Sequence, residues 1–464
     1  MHAKHAIVLL VLMAMACTPK LRQTGSMSLK ISENHRYFAD ASGKPVFWLG
    51  DTGWLLFSRL TREETLRYLD ARAEQGFNVI QAMALHTLDA CNVYGDSALV
   101  GRSVSHPLVT RGSDPTDPLQ YDYWDHVDFV VDEAMKRHIH IALVPVWGSN
   151  VKSGRVSRDE MTAYGQFIAE RYRDKANIIW LNGGDVRGSD SIAIWNILGG
   201  QLRKFAPGHL ITYHPRGRNS SSRWFQHEKW LDFHMAQSGH RTYEQDNDSG
   251  GMMFGEDNWR FIQMDLAMEP LRPVLDGEPS YEEIPRGLHD TLQPRWTDND
   301  LRRYAYWSVF AGAAGFTYGH NSIIQFYCVG DKTSAYGAKS SWTDALAAPG
   351  ALQMKYLKAL VLSRSYFDRV PDQSLVVGAS QGDRYDYVVA TRGHNYAMFY
   401  TYTGKDIHVD LPKLGFKRVV VSWFDPRTGQ TEKVGGFPGD RTIEFSTPGE
   451  PRPGNDWVLI VDKK

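Results

Sequence analysis

From Pro45 to about Phe316, short β-branched or aromatic runs alternate with stretches of helical periodicity. The apolar runs are Val46–Leu49, Phe77–Ala82, Ile139–Val146, Ile178–Leu181, Leu210–Tyr213, Leu231–Met235, Pro273–Leu275 and Gly315–Tyr318. Their nearly continuous apolar character predicts strands buried on both faces of a parallel sheet. Between them, helical patterns fall near Arg62–Glu74, Tyr123–Arg137, Arg158–Tyr172, Ser191–Phe205, Asn258–Met268 and Asp298–Ala311, with a last one at Ala351–Ser363. Thr61 with Glu64 three residues on gives the first helix a capping-box start. Eight strands alternating with helices predict an α/β fold, a (β/α)8 TIM barrel, in which only the helix between strands five and six is poorly marked.

From about Ser374 the pattern changes. Leu375–Val377, Tyr387–Ala390, Tyr396–Tyr402, Ile407–Asp410, Arg418–Phe424, Thr442–Phe445 and Trp457–Val461 are short runs separated by Gly, Pro and Asp, which predict a small antiparallel β-sandwich. The expected organisation is a targeting segment over 1–17, a tether over 18–28, a barrel over 29–370 and a sandwich over 371–464. The targeting segment has Lys4, an apolar run from Ala6 to Ala16 that is too short to span a bilayer, and then Cys17. Ala14-Met15-Ala16-Cys17 resembles a bacterial lipoprotein box, with Cys17 as the lipidated residue. That implies a lipid anchor in the envelope of a Gram-negative bacterium and no other membrane attachment.

The 464 residues suffice for a large domain and a small one. Lys+Arg at 52 against Asp+Glu at 53 offers no electrostatic case for nucleic acid or an anionic membrane surface. Aromatic residues reach 12%, enough to supply sugar-stacking platforms as well as core. After Cys17 only Cys91 and Cys328 remain, and they read as lone thiols rather than a disulfide framework.

In such a barrel the catalytic groups stand at the C-terminal strand ends. Strand one ends with Asp51 and Trp54, strand two with His86, strand three with Trp147, and strand four with Asn182 and Asp185, Arg187 following. Strand five gives His214, strand six His234, Gln237 and His240, strand seven Asp276 and Glu278 with Tyr281 beyond, and strand eight His320. Singly, an Asp after a strand is more often a cap or salt bridge, and a His a hydrogen-bonded wall residue. Their convergence on one rim, with nothing comparable at the opposite strand ends, marks a substrate site. No metal-hydrolase spacing, calcium loop, phosphate loop, dinucleotide fingerprint or serine elbow occurs, so neither metal nor cofactor is expected. What remains is a carboxylate pair. Strands four and seven lie on roughly opposite sides of a barrel, so Asp185 and Glu278 can face each other across a sugar, one protonated and one ionised. Asp276, on the same face by period-two alternation, could orient Glu278 or replace it.

At these residues the chain looks like the clan A barrel hydrolases, in which an Asn and an acid/base close strand four and a Glu nucleophile closes strand seven. It departs from the usual Asn-Glu pair, reading Asn182-Gly183-Gly184-Asp185. With Phe47-Trp48-Leu49-Gly50-Asp51-Thr52-Gly53-Trp54 and Leu275-Asp276-Gly277-Glu278-Pro279-Ser280-Tyr281-Glu282, that variant resembles the apiosidase-like glycoside hydrolases, family 140. The resemblance implies Asp185 as acid/base and Glu278 as nucleophile of an apiosidase acting on side chains of the pectin rhamnogalacturonan II. It also implies a C-terminal module of the collagen-binding type. Two alternatives stay open: a furanosidase or endo-glycanase on another plant polysaccharide, and a glycan-binding lipoprotein with a vestigial barrel.

Overall fold

The computed structural model describes residues 27–247, 250–332 and 334–464, so the targeting segment, Cys17 and most of the tether lie outside the described residues. The barrel is built from β1 (Trp48–Thr52), β2 (Val79–Met83), β3 (His140–Val144), β4 (Ile178–Val186), β5 (Ile211–Pro215), β6 (His234–Gln237), β7 (Val274–Asp276) and β8 (Gly315–Tyr318). Seven parallel pairings run in the order β5-β4-β3-β2-β1-β8-β7-β6. The eighth seam is closed more sparsely, by the Asp232 N–H donating to the Ile211 carbonyl (2.8 Å) and Thr212 Oγ1 to the Phe233 carbonyl (2.6 Å). Every residue of β1, β2 and β3 is buried, as expected where helices cover one face and the barrel interior the other.

All seven expected helices form: α1 (Arg62–Glu74), α2 (Tyr123–Lys136), α3 (Arg158–Tyr172), α4 (Ile192–Phe205), α5 (Asn258–Leu266), α6 (Asp298–Phe310) and α7 (Pro349–Leu362). Thr61 and Glu64 make the capping box read from the sequence, and Asp122, Ser157 and Thr297 open three more. Between β5 and β6 only a single turn, Ser222–Phe225, is helical, which explains the weak signal there. Cys91 and Cys328 are free and exposed.

The C-terminal unit contains β9 (Val389–Arg392), β10 (Tyr396–Thr401), β11 (Ile407–Asp410), β12 (Arg418–Phe424), β13 (Thr431–Pro438), β14 (Thr442–Phe445) and β15 (Trp457–Lys463). One sheet runs Val370–Pro371, β9, β10, β15, β12, β13, and β11 pairs with β14 in a second. Two expectations need correction. Leu375–Val377 is reduced to a single antiparallel bridge, Val376 to Val409 of β11, because Asp372 accepts from the Ser374 N–H and winds Gln373–Leu375 into a 3-10 turn. Strand β13 escaped notice because it is an exposed edge strand carrying Gly435 and Gly436, so its pairing with β12 leaves no apolar alternation.

The unit is fused to the barrel. An apolar cluster extends from Trp48 and Phe316 inside the barrel through α6 to Tyr400 and Val458, while Phe399, Val421 and Leu459 on the opposite side form the sandwich's own core. Tyr306 stacks on Tyr400 with centroids 4.8 Å apart, and Arg302 of α6 forms a buried two-pronged ion pair with Asp456, both contacts 2.9 Å.

Candidate active site

The site begins with a break in β4. Its register against β5 shifts between Gly183 and Val186, and Gly183, Gly184 and Asp185 take φ of +92°, +118° and +50°. Only glycine fits the first two positions: a Cβ on Gly183 would fall 2.5 Å from the Tyr213 ring, and one on Gly184 2.5 Å from the Trp147 ring. Tyr213 Oη clamps the bulge by donating to the Val186 carbonyl at 3.0 Å. The bulge separates the two polar residues that the sequence sets together. Asn182 turns into the protein and donates to the Trp195 carbonyl (2.8 Å), whereas Asp185 reaches the cleft.

Strand β7 sorts its carboxylates in the same way. Asp276 is fully buried, accepting from Ser238 Oγ at 2.6 Å and Asn258 Nδ2 at 2.8 Å. Burial pushes its carboxyl up to about 6 against those donors. Two residues on, past the strand end, Glu278 emerges at the barrel mouth with 7% of its surface exposed.

Two histidines grip Glu278. His240 Nε2 lies 3.0 Å from Oε1, and His214 Nε2 lies 2.9 Å from Oε2 as a close electrostatic contact off the ideal hydrogen-bond direction. The Asp185 backbone N–H donates to His214 Nδ1 at 3.4 Å, which leaves the imidazole proton on Nε2, facing the carboxylate. Trp54 and Trp147 hold this imidazole in place, with ring centroids 5.3 and 5.6 Å from it. Burial alone would raise the Glu278 carboxyl, but the His214 and His240 contacts outweigh it and hold it below the usual range. Asp185 moves the other way. It opens onto the cleft yet is ringed by protein, and burial, followed by the negative charge of Glu278, raises its carboxyl to about 6.

Both carboxyls line one cleft of about 390 Å³, with Trp54, Trp147, Gln237 and Tyr281 among its walls. Gln237 Oε1, His240 Nδ1 and Arg241 Nη1 are buried polar atoms with no hydrogen-bond partner among the described residues. The cleft therefore brings together two carboxyls in different surroundings and the aromatic rings of Trp54, Trp147 and Tyr281.

Comparison with known proteins decides the family. The apiosidase-like catalytic-domain family model matches residues 32–368, and a model described as a collagen-binding domain of a collagenase matches 370–462. The chain belongs to the apiosidase-like family. It is an enzyme, a glycoside hydrolase. A solved glycoside hydrolase shares 45% identity over 94% of this chain and 97% of its own, with a TM-score of 0.88. A structure described as a family 5 glycoside hydrolase from Bacteroides vulgatus shares 42% identity over 94% and 93%, again with a TM-score of 0.88. Another Bacteroides vulgatus protein, at 14% identity and a TM-score of 0.61, shares the fold alone. No curated protein matches the chain.

In this hydrolase the rim residues divide into a cleft set and a supporting set. Trp54, Trp147, Asp185, Gln237, Glu278 and Tyr281 line the cleft, and His214 backs it. Several expected substrate contacts lie elsewhere. Asp51 is entirely buried in an ion pair with Arg72 (2.6 Å), His234 meets Ser221 Oγ at 3.1 Å, and His320 Nδ1 accepts from the Ser322 N–H at 3.1 Å. Asn182 and Asp276 serve internal hydrogen bonds, His86 sits 3.3 Å from Ser58 Oγ, and Arg187 starts the turn Gly188–Asp190, all outside the cleft lining. The sheet is buried on both faces, so a polar residue at a strand end can point to the interior as readily as to the mouth. The strand-end reading did not single out Arg216, Arg218, Arg241 and Tyr336, which line the cleft from loops beyond the strands. The Arg-rich run Pro215-Arg216-Gly217-Arg218 just after β5 is the signal that could have found the first two.

Proposed function

We propose that this hydrolase cleaves apiose-bearing glycosidic bonds in the side chains of the pectin rhamnogalacturonan II and belongs to glycoside hydrolase family 140. Asp185 acts as acid/base and Glu278 as nucleophile. The observation that carries these roles is geometric: Asp185 and Glu278 line one cleft, and only Glu278 is gripped by two histidines, at 2.9 and 3.0 Å, which favours its ionised form while the neighbouring charge raises Asp185. Glu278 attacks the anomeric carbon while Asp185 gives its proton to the departing oxygen. Asp185 then takes a proton from the water that displaces Glu278 from the glycosyl-enzyme, so the anomeric configuration is retained. His214 and His240 hold the two Glu278 oxygens until one becomes the ester oxygen. Trp54 and Trp147 give the sugar an apolar face to rest on.

Glu278→Gln and Asp185→Asn are each expected to lower turnover by about 10²–10⁴-fold with unchanged thermal unfolding. Near-normal rates in either would remove its assigned role. NMR of the first-formed product reads the stereochemistry, and an inverted anomer would make Glu278 a base rather than a nucleophile. Incubation with defined pectic and non-pectic oligosaccharides reads the substrate. Free apiose supports the proposal, whereas another furanose or internal chain cleavage would move the enzyme to a different plant polysaccharide.

We also propose lipidation at Cys17 and anchoring in a Gram-negative cell envelope, supported by the lipobox-like segment and by a relative from Bacteroides. Cys17→Ala should shift the protein from the membrane to the soluble fraction.

A further inference from the structure

We propose that the C-terminal sandwich braces the catalytic cleft, with Tyr385 and Tyr387 as positioning residues for the segment that carries His240 and Arg241. This inference rests on the reading of the cleft as the active site.

After β6 the chain lines the cleft with Gln237, His240 and Arg241, continues past Tyr243 and Asp246, and reaches Gly255, Glu256 and Asp257 before entering α5. No long helix supports this stretch. The sandwich grips it instead. Tyr385 Oη donates to Glu256 Oε1 at 2.7 Å, and the Tyr385 ring meets the Tyr243 ring edge-on at 5.4 Å. Tyr387 stacks on Trp259 at the start of α5, with centroids 4.3 Å apart and planes 14° off parallel. The other Glu256 oxygen lies 2.5 Å from Arg303 of α6, whose guanidinium sits 4.8 Å from the Tyr385 ring and 5.1 Å from that of Tyr402. Glu256 and Arg303 are both sealed from solvent, so the sandwich rings form part of the box around a buried charge pair.

From this anchor, contacts lead back to the cleft. Arg218, which lines it, donates to the Gly255 carbonyl and to Asp246 Oδ2, each at 2.6 Å, and the Gly255 N–H donates to Asp246 Oδ2 at 2.7 Å. At the near end the His240 carbonyl accepts from the Gly287 N–H at 2.8 Å. The segment is thus fixed to the barrel at His240 and Arg218, and to the sandwich at Tyr243, Glu256 and Trp259. Arg384, Tyr385 and Tyr387 precede β9 and stand outside the sandwich's own core. Their outward presentation serves the barrel, and it occupies a face that an independent binding module would leave open.

The test uses the full chain with Tyr385→Ala and the milder Tyr385→Phe, which keeps the ring and removes only the bond to Glu256. Hydrogen exchange followed by mass spectrometry should show faster exchange over residues 240–247 in Tyr385→Ala, with β1–β4 unchanged. Tyr385→Phe should show a smaller effect in the same direction. On an oligosaccharide whose turnover is lost in Glu278→Gln, KM should rise several-fold while kcat changes less. Unchanged exchange in both variants would overturn the brace, as would faster exchange with unaltered KM. If Tyr385→Ala does not fold, Tyr385→Phe decides by the same two readouts. Exchange needs no turnover, so it separates failure of the brace from failure of the active-site reading.

Discussion

His214 links the Asp185 backbone to the Glu278 carboxylate. Its Nδ1 takes the Asp185 backbone N–H and its Nε2 faces Glu278, so in the proposed mechanism one ring holds the acid's backbone and lowers the pKa of the nucleophile. The proposed mechanism needs Glu278 ionised and Asp185 protonated. The rate should therefore rise as pH climbs through the depressed Glu278 value and fall as pH climbs through that of Asp185, near 6. A kcat/KM profile from acid to neutral pH reads both limbs, and a plateau extending well above neutrality would contradict Asp185 as the acid. His214→Phe keeps an aromatic ring between Trp54 and Trp147 but removes the donor. Glu278, still buried and now held by His240 alone, titrates higher, so the acid limb should move upward. The groups facing this pair from the neighbouring elements besides His214 are His240 and Tyr281, with Tyr336 sensing both charges.

At the scale of elements, the decisive feature is the bulge that ends β4. The bulge interrupts the pairing with β5 just before Asp185, which stands at the cleft in a left-handed conformation. The Gly-Gly pair permits three successive positive φ values, and Tyr213 locks the result. Gly184→Ala puts a Cβ against the Trp147 ring in a conformation that L residues resist, so a destabilisation of about 1–3 kcal/mol is expected. Denaturant unfolding measures this, and residual activity at a temperature where the variant is still folded should drop as well. Stability and activity both at the parent level would show that the bulge is not what aims Asp185. The barrel strands and helices were legible in advance because each has a strong period, and the capping box at Thr61 was visible as a spacing. The exposed edge strand β13 and the turn at Gln373–Leu375 were not, since pairing partners and a local side-chain cap decided them.

At the scale of the molecule, the two units share buried charge. Arg302 on α6 and Asp456 in the sandwich are both sealed from solvent, and the Tyr400 hydroxyl also reaches Asp456 at 3.3 Å. Asp456→Ala would remove the two-pronged partner of a buried guanidinium that keeps Asp298 at 2.6 Å, with an expected loss of about 1–3 kcal/mol. Calorimetry should then show a lower transition for the whole chain rather than for the sandwich alone. A first transition confined to the sandwich, with the barrel unaffected, would mean the units are thermodynamically separate. The sequence marks residues 371–464 as a different kind of structure but gives no sign that they reinforce the cleft, because Tyr385, Glu256 and Arg303 are far apart along the chain.

The sequence alone determined the barrel, its strand count, the sandwich after it, and the two segments that deliver Asp185 and Glu278. Each of these follows from local periodicity or from residues adjacent in the chain. Tertiary structure decided which strand-end polar groups line the cleft. Asp51, Asn182, His234, Asp276 and His320 carry the same local signature as the cleft residues but turn into buried hydrogen bonds and ion pairs. It also set the opposite shifts of the two acids. Those depend on burial and on histidines from β5 and from the loop after β6, which come together only when the barrel closes.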